Sequence, residues 1–340
     1  MNDFYQASVA EQSRRLATLA QSALIRWGIE AAPVELIKYR ENAVFRVEAG
    51  GARYALRIHR AGYHSDAELR SELQWMRALL ADGFAVPVLV PSKSGALFEV
   101  VGGAGVPEPR QVDLFEWCSG NTLGSIEQGV GAGGGDLRQT FHTIGVLAAR
   151  LHDQANHWAL PPGFVRHAWD AEGLVGEQPY WGRFWELVAL GADQRRLLER
   201  MRDAARVDLA ALSKAPAGYG LIHADFCPEN LLVDGTQVRL LDFDDAGFGW
   251  HLFEIATTLY FHRPEAYFAQ VEAALIEGYR TRRPLGEDAL RSLPLFYAVR
   301  GTTYLGWVHT RQETDTAREL TPTLIGLACE AAEQYLSKRA

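Results

Sequence analysis

The sequence predicts an α+β chain of two lobes: an antiparallel five-stranded sheet carrying one helix, followed by a mainly helical half. Three observations lead there. At 340 residues the chain is too long for one small core. Its first third alternates apolar and polar residues at the two-residue period of strands. From Asp136 onward the apolar spacing turns helical. The expected lobes are residues 1–115 and 116–340.

Ser8-Val9-Ala10-Glu11 has the form of a capping box and predicts a helix to about Trp27, ended by Gly28. After Pro33 come VELIKY, AVFRVEA and RYALRIH, separated by polar and glycine-bearing breaks, which reads as an antiparallel meander. From Ser65 to Leu80, Leu69, Leu73, Met76 and Leu80 form a helical stripe. ALFEVV and QVDLFEW then supply the fourth and fifth strands. The glycine-rich run from Gly129 to Gly135 lacks the Lys-Ser/Thr of a phosphate loop and reads as a connector. Helices are expected over Asp136–Asn156 and Gln194–Leu212, with three or four more in the last ninety residues, broken at Pro264, Pro284, Pro294 and Pro322. The only strand-like runs of this half are YGLIH, NLLVD and QVRLLDF, with Asp234-Gly235 as a hairpin turn.

A formal net charge of −8 gives no basic excess to neutralise phosphates, so nucleic acid is not an expected partner. Three cysteines, with no C-x-x-C pair, predict a reducing cytoplasm without disulfides or a zinc site. No secretory leader and no membrane-spanning run is read. Oligomeric state and the choice between ATP and GTP are not legible.

The chemistry gathers in LIHADFCPEN, Leu221–Asn230, and RLLDFDDAG, Arg239–Gly247. Carboxylates this dense need a cation among them. Phosphoryl transfer from ATP offers one, because Mg²⁺ prefers carboxylate and amide oxygens. Asp225 suits the group that orients and accepts the proton of an attacking hydroxyl. Asn230 and Asp242 suit the metal, with Asp244 as a helper. His223 is placed in the catalytic loop, chiefly to hold it by hydrogen bonding. The alternative is that Asp and Asn here are ordinary turn residues.

His223-x-Asp225-x-x-x-x-Asn230 has the spacing of the protein-kinase catalytic loop, and Asp242-Phe243 falls where the metal-binding Asp-Phe-Gly would lie. HADFCPENLLVDG, LLDFDDAGFGW and the helix beginning HLFEIA resemble more closely the aminoglycoside phosphotransferase family, which includes type II homoserine kinases, choline kinases and bacterial stress-response kinases. The resemblance covers roughly residues 30 to 320. It implies a protein-kinase-like fold, ATP and Mg²⁺ as cofactors, and a small-molecule hydroxyl acceptor such as homoserine, an amino alcohol or an aminoglycoside.

On the same resemblance the sheet lobe grips the nucleotide. Arg57 stands where kinases have lysine, and its helix partner is Glu72, with Glu68 as competitor. Asn42, in Arg40–Phe45, occupies the phosphate-covering turn. Backbone groups from Glu116 to Cys118 would meet adenine. Acceptor candidates are Asp245, Trp250, His251 and the helix stripe of Tyr304, Trp307 and Arg311, which an ordinary buried helix would also produce. Four tryptophans between Trp158 and Trp185 either cover an acceptor pocket or anchor a long connection. Two other readings stand beside this one. The first is a Ser/Thr protein kinase of the stress-response type. The second is a catalytically silent nucleotide-binding regulator, motivated by Arg57 and by Glu254, which takes a position usually held by Asp.

Overall fold

The computed structural model describes residues 4–30, 32–103, 105–125, 129–130, 136–234, 237–312 and 314–339. Contacts divide the chain into two compact units, Met1–Ser119 with Leu160–Val165, and Gly120–Ala159 with Arg166–Ala340.

In the first unit, helix α1 (Val9–Ala23) starts at Ser8, whose hydroxyl accepts the Glu11 N–H. A short 3₁₀ turn carries it to Trp27, and Gly28 ends it at φ 78°. Strands β1 (Val34–Tyr39), β2 (Ala43–Ala49) and β3 (Ala52–Ile58) form the meander. Helix α2 (Asp66–Ala81) follows, then β4 (Glu99–Gly103) and β5 (Val106–Glu116). The sheet order is β1-β2-β3-β5-β4, antiparallel throughout. One face buries Phe45, Val47, Leu56, Ile58, Val112 and Leu114 against Leu16, Leu19, Ala20 and Ala23 of α1. The two-residue period therefore assigns Arg57 and Asp113 to the opposite face. At the edge, β1 carries a register shift between Leu36 and Lys38, and Leu36 and Ile37 are exposed. On α2, Leu79 rather than Leu80 completes the buried stripe.

The second unit opens with the short strands β6 (Asn121–Thr122), β7 (Gly124–Ser125) and β8 (Gly129–Val130). Residues 131–135 of the expected connector lie outside the described residues. Helix α3 (Leu137–His157), strand β9 (Ala168–Trp169), helix α4 (Ala171–Val175) and helix α5 (Ala192–Ala211) come next. Strands β10 (Tyr219–Ile222), β11 (Leu231–Asp234), β12 (Gln237–Leu240) and β13 (Gly247–Trp250) frame the acidic motifs. Asp234 pairs with Gln237 as a hairpin requires, though Gly235 of its turn is outside the described residues. The chain finishes with α6 (His251–Leu259), α7 (Phe268–Arg280), α8 (Glu287–Leu290), α9 (Leu293–His309) and α10 (Asp315–Arg339).

Three expectations are corrected. GFGW, with two glycines and weak β propensity, is strand β13, because β10 on one side and β9 on the other supply its hydrogen bonds. Pro294 does not break a helix but lies in the first turn of α9, where a missing N–H costs nothing. Pro322 sits inside α10, which continues past it because Ala317, Leu324, Ile325, Ala328 and Ala331 are buried on both sides of the proline.

Helices α3 and α7 cross closely. A Cβ built on Gly145 would meet the Leu275 carbonyl oxygen at 2.0 Å, and one on Gly278 would meet that of His142 at 2.0 Å. Only glycine permits this approach.

Candidate active site

The expected residues fall into two groups, one in each unit. In the first unit β3 and β5 pair so that Arg57 lies opposite Asp113. Arg57 Nη2 donates to Glu72 Oε1 at 2.8 Å and to Asp113 Oδ2 at 2.8 Å, and Nε donates to Asp113 Oδ1 at 3.1 Å. The guanidinium also lies over the Phe115 ring. Arg57 is thus buried and doubly paired, not a solvated arginine on a strand face. Burial raises the Asp113 carboxyl, but Arg57 and His59 outweigh it and hold the group below its usual value. Glu72 is the helix partner. Glu68 is spent on the α2 capping box, accepting from the Ser65 N–H at 2.8 Å.

Asn42 is buried, and its Oδ1 accepts the Arg60 N–H at 3.1 Å, so it ties the turn before β2 to the end of β3. At the end of β5, the N–H of Glu116 goes to the Val88 carbonyl and that of Trp117 to the Arg53 carbonyl. The sheet therefore consumes two of the donors in the segment expected to meet adenine.

In the second unit, β10 delivers His223, Ala224 and Asp225, and a 3₁₀ turn (Pro228–Asn230) returns the chain to β11. Asn230 Nδ2 donates to Asp225 Oδ2 at 2.7 Å and to the Asp225 carbonyl at 3.0 Å. Since its amide nitrogen is committed to Asp225, its Oδ1 is the donor a hard cation would use. His223 joins this loop to the acidic one. Its Nε2 donates to the Leu241 carbonyl at 2.8 Å while Nδ1 accepts the Asp225 N–H at 3.2 Å. Both ring nitrogens are engaged in holding the loop, and burial lowers the imidazole pKa. The Leu241 N–H adds a second tie, to the Asn230 carbonyl at 2.8 Å. These bonds tie the loop of Asp225 to the loop of Asp242, seventeen positions later in the chain.

Among the described residues, the non-glycine positions with positive φ are Ala224 (65°) and Asp242 (56°). Both belong to this site, and each costs about 1–2 kcal/mol. The Ala224 conformation is clamped from two sides. Glu254 of α6, fully buried, accepts the His223 N–H at 2.9 Å and the Ala224 N–H at 2.7 Å. Arg300 of α9 donates to the Ala224 carbonyl at 3.1 Å. Burial raises the Glu254 carboxyl above its usual value, although His223 and the two amides oppose this.

Arg300 is the residue that the sequence reading missed. Its Nη2 donates to Asp225 Oδ1 at 2.8 Å and to the Tyr304 hydroxyl at 2.7 Å. Its planar group stacks near Trp181, Phe253 and Tyr304. The signal was present: an arginine inside the apolar run LPLFYAVRGTTYLGWV, one turn before Tyr304, must find a buried counter-charge.

Asp242 is exposed and Asp244 buried, and the Asp244 and Ala246 carbonyls accept from the buried Arg166. Asp245 is held by the tryptophans: Trp181 Nε1 donates to its Oδ1 at 3.1 Å and Trp169 Nε1 to its carbonyl at 2.8 Å. Trp185 instead lies 3.7 Å beneath the Arg202 guanidinium.

The acceptor candidates divide. Tyr304 reaches the site through Arg300. Trp250 does not: it is core, packed on Tyr219 and Phe296, with Nε1 donating to the Ser213 carbonyl. His251 stacks on His152 in the interior. Arg311 is buried over the Trp307 ring and donates to the Thr310 hydroxyl at 2.7 Å, so this pair is a packed end of α9.

Comparison with known proteins gives the same family at three levels. The model of a phosphotransferase enzyme family matches residues 35–290. A solved structure of a microcompartment-associated aminopropanol kinase shares 33% identity, with a TM-score of 0.83 and coverage of 94% of this chain and 97% of that one. The amicoumacin kinase of Bacillus subtilis (strain 168) is 24% identical over 314 residues, 88% of this chain and 87% of the relative. A homoserine kinase of Rhizobium johnstonii is 27% identical over 227 residues, 65% of this chain and 62% of the relative.

Proposed function

This chain belongs to the phosphotransferase enzyme family, and on that premise we propose that it transfers the terminal phosphoryl group of ATP to the hydroxyl of a small amino alcohol. The observation that carries the reading is Asp225, held on both carboxylate oxygens and tied through His223 and Leu241 to the loop of Asp242.

In the transfer, the acceptor oxygen forms a bond to the terminal phosphorus. The bond from that phosphorus to its bridging oxygen breaks, and the electron pair leaves with the diphosphate. The hydroxyl proton passes to Asp225. A divalent ion such as Mg²⁺, when bound, neutralises phosphate charge. Asn230 Oδ1 and the carboxylates of Asp242 and Asp244 are the hard donors that would hold it. Arg57, oriented by Glu72 and Asp113, serves the phosphates. The Glu116 carbonyl and the Cys118 amide serve adenine. Asp225 orients the hydroxyl and accepts its proton, and such general-base participation typically supplies about 10²–10⁴-fold.

The acceptor class follows from charge. Arg300 is spent on Asp225 and Arg166 on backbone carbonyls, so these two buried cations are committed within the protein. A carboxylate on the acceptor would draw no counter-charge from either arginine, which favours an amino alcohol over homoserine, whose carboxylate is the difference between them. The 33% identity to an aminopropanol kinase supports the same choice.

A coupled ADP-release screen over amino alcohols, homoserine, aminoglycosides and a peptide tests the reading. Turnover should be highest with short amino alcohols, be abolished in Asp225→Ala with nucleotide binding retained, and need more metal in Asp242→Ala. Turnover of homoserine or an aminoglycoside alone would overturn the acceptor class. Undiminished turnover in Asp225→Ala would remove Asp225 from its role.

A further inference from the structure

We propose that Arg300 is a positioning residue for phosphoryl transfer, acting through Asp225. The inference rests on the assignment of Asp225 as proton acceptor and extends it to a residue on another element of the same unit.

The Asp225 side chain is 20% exposed, so a substrate reaches it, while the Arg300 side chain is 0% exposed, so a substrate does not. Arg300 therefore acts only through what it touches. Three contacts define its work: Asp225 Oδ1, the Ala224 carbonyl and the Tyr304 hydroxyl. The first fixes one oxygen of the carboxylate, as Asn230 fixes the other. Together they remove rotation about the last bond of the side chain, so one lone pair is presented in one direction. The second contact holds the Ala224 carbonyl while Glu254 holds the Ala224 N–H, so both backbone groups of this left-handed residue are fixed.

Electrostatics gives the second part of the argument. A carboxylate beside a polyphosphate repels the group it is meant to help transfer. A guanidinium buried against that carboxylate offsets the charge without approaching the phosphate. Arg300 is itself packed over three rings: Trp181 at 5.0 Å, Phe253 at 5.6 Å and Tyr304 at 4.2 Å. These contacts favour the cation face-on and exclude water. Lysine could supply the charge but not three simultaneous donors in one plane.

The experiment is a double-mutant cycle on the full chain, with kcat and nucleotide KM measured on the best amino-alcohol acceptor and folding checked by thermal unfolding. Arg300→Met should lower kcat by about 10²-fold or more with nucleotide KM changed less than about threefold. Arg300→Lys should recover part of that loss. Tyr304→Phe, which preserves shape and removes only a partner of Arg300, should lower kcat by about threefold to tenfold. In an Asp225→Asn background, assayed at high enzyme concentration, Arg300→Met should cost almost nothing further. An equal loss in both backgrounds would overturn the inference. So would a loss no greater than the unfolded fraction, or Lys and Met variants that are indistinguishable. A wild-type enzyme inactive on every acceptor would sink the proposed function along with this inference; an active wild type with additive losses sinks only the inference.

Discussion

Glu254→Gln puts the clamp on the catalytic loop to a quantitative test. Glu254 presents two acceptor oxygens to two consecutive backbone donors, His223 N–H at 2.9 Å and Ala224 N–H at 2.7 Å, with the carboxylate fully buried. Glutamine keeps one acceptor and turns an NH₂ group toward the other N–H. One buried donor is then orphaned, at about 1–3 kcal/mol, and the facing donors add repulsion, so a loss of about 2–4 kcal/mol is expected. In a chain of this size each kcal/mol lowers Tm by about 2 °C, giving a fall of about 4–8 °C. Function should suffer more than stability. The left-handed Ala224 costs about 1–2 kcal/mol to maintain, so the weakened loop relaxes and carries Asp225 with it, lowering kcat by about 10-fold or more. Glu254→Asp separates charge from reach. It keeps the carboxylate but is one methylene too short to satisfy both amides, and it should fall between wild type and Gln. Thermal unfolding and kcat at saturating nucleotide decide the matter. A Gln variant within about 1 °C of wild type and within about twofold in kcat would refute the clamp.

Gly145→Ala should destabilise by about 3 kcal/mol or more, seen as a lowered urea midpoint, because its Cβ would stand 2.0 Å from the Leu275 carbonyl oxygen and backbone must move. The protein should also weaken in mild acid. Burial lowers the pKa of His152 and of His251, and that of His262 to about 4. Folded-state values below the unfolded value of 6.5 mean stability that is present above pH 6.5 and lost as pH falls toward 4. Each group contributes up to about 1.4 kcal/mol per pH unit in that window. Urea unfolding at about pH 7.5 and about pH 5 measures it, and equal midpoints would refute the linkage.

The sheet unit was legible nearly element by element. Its strands carry one apolar face, and a two-residue period leaves little choice about which residues face α1. The same period found Arg57 but not Asp113, because a cross-strand partner depends on register, which one strand does not reveal. Asp225, Asn230 and Asp242 could be read from spacing because they share two short segments. Arg300 and the clamp role of Glu254 could not, since both act from helices far along the chain and their targets are backbone groups or a side chain already assigned. Glu254, taken alone as a departure from the usual Asp, motivated a silent regulator, yet in place it holds two amides. Trp250 and His251 lie beside the acidic motif in sequence, and that proximity alone makes them acceptor candidates. Strand β13 and the start of α6 turn both inward, which sequence distance does not record.

The register shift in β1 bears on how the protein behaves at high concentration. An outermost strand exposing Leu36 and Ile37 would ordinarily template the addition of another chain, the first step toward ordered aggregates. The irregularity between Leu36 and Lys38 interrupts the ladder, so an incoming straight strand can match only part of it at a time. Deleting Ile37 to regularise the strand should make the protein less soluble even where its catalytic machinery is untouched.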